Sequence, residues 1–180
     1  IGVENTPTVI FDLMQFLVID LGGVVGQIGM GQHGTAFAHA GMRMGPAICY
    51  EGLYGDFYGD FVRRGAQFMA IISNDGWWGD TPGYKHLFTI SRLRAIEHRR
   101  AIARSANTGM SGFISARGDI GETLGWEKRG VISAAVPLNS ELTFYTRYGD
   151  YLGRIAEYLT LLCVLYYIAY RVKKKNYLVK

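Results

Sequence analysis

Cysteine, lysine and charge are all scarce in this 180-residue chain, and each scarcity excludes something. Its two cysteines, Cys49 and Cys163, sit in unlike surroundings, so no disulfide framework organises the fold. Charged residues make up only 19% against 49% hydrophobic, which argues against disorder and for one domain with a proper core. Lysine is absent from residues 1–84 and first occurs at Lys85. Positive charge without acid is confined to the end, in Arg171, Lys173, Lys174, Lys175 and Lys180. Without those five the formal net charge drops from +4 to −1, so no basic face remains to neutralise phosphates. Nucleic acid is therefore not an expected partner. The first residue is Ile1 rather than Met, and the chain is expected to begin inside a longer protein.

Glycine and tyrosine are plentiful, at 24 and 12 residues, and point to tight turns and a half-buried sheet. Val9 to Val25 is apolar but interrupted by Asp12, Gln15, Asp20 and Gly22-Gly23, which suits an interfacial segment or a buried core helix better than a spanning one. Gly26 to Gly45 reads as loop. It holds a G-x-G-x-x-G at Gly29, Gly31 and Gly34 without strand–turn–helix context, and His33 and His39 without metal-ligand spacing. From Met44 the pattern becomes α/β. Pro46–Cys49 and Phe68–Ile72 read as buried strands, Tyr54–Arg64 as a helix, and Tyr84 to Arg104 as a long helix carrying Leu87, Ile90, Leu93 and Ile96. Strand–helix–strand–helix order predicts parallel strands with crossover helices. Ser111–Ser115 and Val131–Val136 are strand-like, and Arg117-Gly118-Asp119 sits where a hairpin needs glycine.

Tyr151 to Tyr170 is the one long apolar run. Ile155 to Tyr170 has only Glu157 and Thr160 as polar interruptions, and twenty residues rising ~1.5 Å each span the ~30 Å of a bilayer core. Tyrosines at 151, 158, 166, 167 and 170 suit the interfaces, and Cys163 is inert filling. The basic residues that follow predict a cytoplasmic tail at 171–180 and place residues 1–150 on the other side. A C-terminal helix that stays out of the membrane is the alternative.

Cys49 closes a predicted strand and precedes Tyr50, Glu51 and Gly52. Strand ends of open α/β folds commonly present reactive groups, and in extended backbone residues 49 and 51 share a face. A thiol becomes a good nucleophile only beside a base or a positive charge, so the cysteine alone is a weak signal. Its context is more specific. Ile48-Cys49-Tyr50-Glu51, Ile72-Ser73-Asn74-Asp75-Gly76-Trp77-Trp78-Gly79, Arg92-Leu93-Arg94-Ala95-Ile96-Glu97 and Ala103-Arg104-Ser105-Ala106-Asn107-Thr108-Gly109 follow in that order. The set resembles the nitrilase superfamily, in particular its membrane-bound apolipoprotein N-acyltransferase branch. Thr143-Phe144-Tyr145 to Gly149-Asp150 is similar to that branch's ending.

The resemblance implies an α/β fold, part of an αββα sandwich over residues 1–150, followed by one transmembrane helix at 151–170. It implies Cys49 as a nucleophile that takes a fatty acyl chain from a phospholipid as a thioester, with Glu51 and Glu4 as active-site acids and Tyr50 and Trp77 lining the site. The acceptor would be the amino group of a diacylglyceryl-cysteine apolipoprotein. The setting would be a bacterial inner membrane, with the domain facing the periplasm. No cofactor or metal is implied. In the family a catalytic lysine lies just upstream of the segment matched by Ile1–Glu4, and a triad glutamate further up. Neither has a counterpart here, so this chain by itself is expected to be inactive. His86-Leu87 stands where the family has Gln-His, so no role is carried over to that histidine. Two other readings stay open: a membrane-tethered amidase or other amide-forming enzyme, also using Cys49, and a non-catalytic binding module.

Overall fold

Short β-branched and aliphatic runs bounded by glycine should pair into a sheet, and they do. The computed structural model describes residues 33–178, so Glu4, the Val9–Val25 segment and most of the G-x-G-x-x-G loop lie outside the described residues. Six strands form one sheet in the order β1 to β6. They are β1 (Phe37–His39), β2 (Met42–Ile48), β3 (Phe68–Ser73), β4 (Ile102–Ala106), β5 (Ser111–Ile114) and β6 (Ile120–Leu124). The central strands β2, β3 and β4 are parallel, and β1, β5 and β6 join antiparallel. Helix α1 (Gly55–Arg63) connects β2 to β3, and α2 (Pro82–His98) connects β3 to β4. The expected crossover order is present.

Alternation along the strands explains where the core sits. Ala47, Met69, Ile71, Ile102 and Ile114 point to one face and are buried there beneath Tyr58, Phe61, Val62, Phe88 and Ala95 of the two helices. On the opposite face Ile48 and Ile72, paired in register, stay 60% and 56% exposed. Among the described residues that face carries no second layer. The sheet is thus one side of the sandwich that the sequence led one to expect.

Two expectations about elements are corrected, and one strand was not foreseen. The long helix does not run to Arg104. It stops at Arg99, whose left-handed backbone (φ 51°) lets its N–H return to the carbonyl of Ala95. Arg100 then turns inward, fully buried, and its guanidinium donates to the carbonyls of Ala66 at 2.7 Å and Glu141 at 2.9 Å. The residues that follow become β4. Ile120–Leu124 forms a strand the pattern did not reveal, because five polar or isolated apolar residues give no periodic signal. Val131–Val136 forms no strand. It belongs to an arm that is tied to the domain further on, where Asn139 N–H donates to Gln67 O and Asn139 Nδ2 to Arg99 O. Arg117-Gly118-Asp119 is the β5–β6 turn as expected, with Gly118 at φ 86°.

The arm ends in a short helix, α3 (Phe144–Tyr148), capped by the Thr143 hydroxyl, and then a long one, α4 (Tyr151–Leu178). Thr146 on the inner side of α3 is fully buried against His98 of α2. Phe144 and Tyr148 on its outer side are 62% and 55% exposed and stack together with Tyr151 at the start of α4. Within α4, Tyr151–Arg171 has a mean hydropathy of 1.4 and no part of that span is buried in the protein. By length and composition it is sufficient to cross a membrane, its 21 residues rising about 32 Å.

Candidate active site

Parallel strands carry their carboxyl ends to one edge of the sheet, where the peptide ends are polar and free of side-chain cover. Register puts Ile48, Ser73 and Ala106 at that edge, and the loops after β2, β3 and β4 therefore meet.

Cys49 is the first residue after β2 and begins a single 3₁₀ turn, Cys49–Leu53. Sequence reading placed it at the end of the strand; it lies one step beyond. Its backbone is left-handed, φ 52°, a conformation that costs a non-glycine residue roughly 1–2 kcal/mol. The half-buried thiol is thereby lifted out of the sheet at a sharp strand-to-turn elbow. Glu51 secures that elbow: its carboxylate accepts the N–H of Ile48 at 2.7 Å, tying the turn back onto the strand it leaves. Tyr50 is half-buried in the same turn, and α2 packs against it.

Opposite the elbow stands a buried polar group. Asp75, fully buried at the start of the turn Asp75–Trp78, accepts both guanidinium ends of Arg104 from β4, at 2.9 and 3.0 Å. Such a two-pronged pair fixes direction as well as charge. Arg104 also donates to Met110 O and lies 6.0 Å from the Phe88 ring, while its Nε has no partner among the described residues. The Ser73 hydroxyl donates to Asp75 at 2.6 Å and lies 3.8 Å from Cys49 Sγ. The loops interlock through asparagines. Asn107 Oδ1 receives Asp75 N–H at 3.1 Å, and Asn107 Nδ2 donates to Asn74 Oδ1 at 2.7 Å. Gly109 closes over the group; a Cβ there would overlap the Asp75 carboxylate.

Beneath the elbow a second buried set joins α1, α2 and α3. Arg94 pairs with Glu97 at 3.1 Å. His98 sits between the Thr146 hydroxyl (2.9 Å) and the Gly55 carbonyl (3.1 Å). Since a carbonyl can only accept, Nε2 carries the proton and Nδ1 accepts from Thr146. Burial first, and then the neighbouring Arg94 guanidinium, lowers His98 to about 3. Burial pushes the Glu97 carboxyl up, against the opposing pull of Arg94.

The structure thus brings Cys49, Tyr50 and Glu51 into one turn, with the Asp75 loop beside it. Trp77 belongs to that loop and is 83% exposed. Glu4 lies outside the described residues. Ser73, Asp75, Arg104 and Asn107 were not singled out from sequence, although all four fall inside the quoted motif blocks. No cluster of three metal-ligating side chains occurs among the described residues.

A half-buried cysteine on a left-handed turn at the carboxyl edge of parallel strands sits where α/β proteins commonly present their functional groups, which defines the class as an α/β fold with its candidate site at that edge. The model of one such family, the carbon-nitrogen hydrolases, matches residues 13–142, and the chain belongs to that family. Among curated proteins it is similar to the apolipoprotein N-acyltransferase of Chlorobaculum tepidum, 45% identical over 109 residues covering 61% of this chain and 20% of that protein. It is 42% identical over 97 residues to that of Rhizobium meliloti, covering 54% and 18%. The chain spans about a fifth of the length of the relatives it matches. Among solved structures it is similar in fold to a nitrilase-superfamily amidase from Nesterenkonia AN1, with a TM-score of 0.51 at 16% identity, covering 71% of this chain and 49% of that one.

Proposed function

We propose that this chain is the Cys49-bearing part of a lipoprotein N-acyltransferase, in which residues up to 150 form the nitrilase-like domain and 151–170 a membrane anchor. The observation that carries the reading is the elbow: left-handed Cys49 held by the Glu51–Ile48 clasp at the strand edge. The similarity to proteins named apolipoprotein N-acyltransferase supports a lipid ester as donor, as does the apolar helix joined directly to the domain.

The reaction divides one hard transfer into two displacements. Cys49 Sγ attacks the ester carbonyl of a phospholipid, its proton passing through a base to the departing lysophospholipid oxygen. A thioester forms and the ester C–O bond breaks. The amino group of a diacylglyceryl-cysteine apolipoprotein then attacks the thioester carbonyl, forming an amide; the sulfur leaves and regains a proton. Backbone N–H groups following Cys49 would face the tetrahedral oxyanion. Glu51 holds the elbow, Tyr50 and exposed Trp77 offer apolar surface to the substrates, and Glu4 is an additional site acid. The domain faces the periplasm of an inner membrane and the tail, 171–180, the cytoplasm.

The test is acyl labelling in membranes bearing a version of this chain extended upstream through the family's lysine and glutamate, supplied with radiolabelled phospholipid. A hydroxylamine-labile label on the chain is expected, absent in Cys49→Ala and retained in Cys163→Ala. Undiminished labelling of Cys49→Ala would remove Cys49 from the mechanism.

A further inference from the structure

The Ser73 hydroxyl lies between the candidate nucleophile and the buried Arg104–Asp75 ion pair, and the proposed reaction assigns it no task. We propose that Ser73 is a positioning residue for Cys49, its hydroxyl steered by the Arg104–Asp75 pair and held against the sulfur. The inference deepens the reading of Cys49 as the nucleophile and rests on it.

Three observations combine. A serine hydroxyl has one proton and two lone pairs. In the resting arrangement that proton goes to Asp75 Oδ1, because a 2.6 Å bond to a carboxylate outcompetes a 3.8 Å approach to sulfur. The lone pairs of Ser73 are therefore turned toward Cys49, where they accept the thiol proton and hold the sulfur in one rotamer. Asp75 does not depend on this bond. Arg104 satisfies both carboxylate oxygens and the Asn107 side chain accepts its N–H. When the thiol gives up its proton, the Ser73 hydroxyl rotates and donates to the negative sulfur, at the cost of one of the three bonds to the carboxylate. Ser73 is only 7% exposed, so water competes poorly for either position. A hydroxyl that can accept from the thiol and donate to the thiolate favours both, but hydrogen bonds to the charged form are the stronger.

The charged groups on the elements meeting here are Glu51 in the elbow, Asp75 and Arg104 behind Ser73, and Arg94 and Glu97 on the helix packed against the turn. Of these only Asp75 loses a bond when the serine oxygen is removed, and its two bonds from Arg104 remain. Ser73→Ala therefore isolates the hydroxyl.

The experiment measures the rate of Cys49 alkylation by iodoacetamide between pH 6 and 10, in the full chain in detergent with Cys163→Ala as background. Ser73→Ala is expected to slow alkylation at pH 7 roughly 5- to 10-fold and to move the profile to higher pH by nearly one unit, as loss of one hydrogen bond to a charged group predicts. Ser73→Thr restores the hydroxyl and is expected to restore the profile. Thr and Val differ at this position only by hydroxyl against methyl, so the Ser73→Thr and Ser73→Val pair gives the same comparison if the alanine variant melts too low to measure. Equal profiles for hydroxyl-bearing and hydroxyl-free variants would overturn the proposal. So would a Ser73→Thr profile that follows Ser73→Ala. Alkylation needs neither lipid nor apolipoprotein, so a failure here is separate from a failure of the acyl-transfer assay.

Discussion

Asp75 and Arg104 bury opposite charges within one hydrogen-bonded pair, 0% and 4% exposed. Forming such a pair gains little over apolar packing, but removing one member leaves the other charge without compensation in the interior. Asp75→Ala is therefore expected to destabilise the fold by about 3–5 kcal/mol, read as a lowered midpoint in urea denaturation. The Asp75→Ala, Arg104→Met double variant should recover a good part of that loss. Recovery of nothing would mean that the pair holds the Ser73 and Asn107 loops rather than balancing charge. This part of the site was half-legible. Both residues stood in motif blocks, but Arg104 was taken as the end of a helix, where its side chain would reach solvent. Only strand alternation in β4, with Ile102 and Arg104 on one face, turns it toward a residue 29 positions earlier.

Helix α2 does more than connect two strands. Its last residue, His98, bolts α1 and α3 together, and it does so in the neutral form. The sign of the pH effect follows. Unfolded, the imidazole takes up a proton near pH 6.5; folded, it resists until about 3. Between these values the unfolded state binds the extra proton, so stability is complete above pH 6.5 and declines on acidification, by up to about 1.4 kcal/mol per pH unit. Glu97, pushed up by burial, acts in the opposite sense and blunts the decline around its own range. His98→Gln is expected to flatten the slope of denaturation free energy between pH 6 and 4. An unchanged slope would place the acid sensitivity elsewhere. The sequence announced α2 through its helical repeat of leucine and isoleucine, but not its end. Arg99 and Arg100 read as ordinary helix formers, and only the demand for a buried guanidinium under Ala66 and Glu141 makes the chain turn there. The Val131–Val136 segment misled in another way: its apolar pattern is real, but it pairs into no strand.

For the whole molecule, the informative junction is between α3 and α4. Gly149, at φ 65° and pressed against Asp56, joins a helix bolted to the domain by Thr146 to one exposed along its apolar length. Phe144, Tyr148 and Tyr151 gather at that joint, as aromatic residues do at a bilayer interface. A reporter fused after Lys180 is expected to behave as cytoplasmic, and protease added outside the inner membrane is expected to degrade the domain. A domain shielded from that protease would reverse the proposed orientation. The long apolar helix was plain in the sequence because sixteen nearly uninterrupted apolar residues give an unbroken pattern. The sheet's open face was not, because Ile48 and Ile72 read as core residues and only the register shows them side by side and uncovered.

The left-handed backbone at Cys49 also carries a historical meaning. Glycine would adopt φ 52° without steric cost, and asparagine more easily than most. For stability alone, then, cysteine is a poor occupant of this position, and a lineage that no longer needed sulfur here would drift toward glycine at little loss. Under the proposed function, a residue that the backbone disfavours is kept here because its sulfur is used.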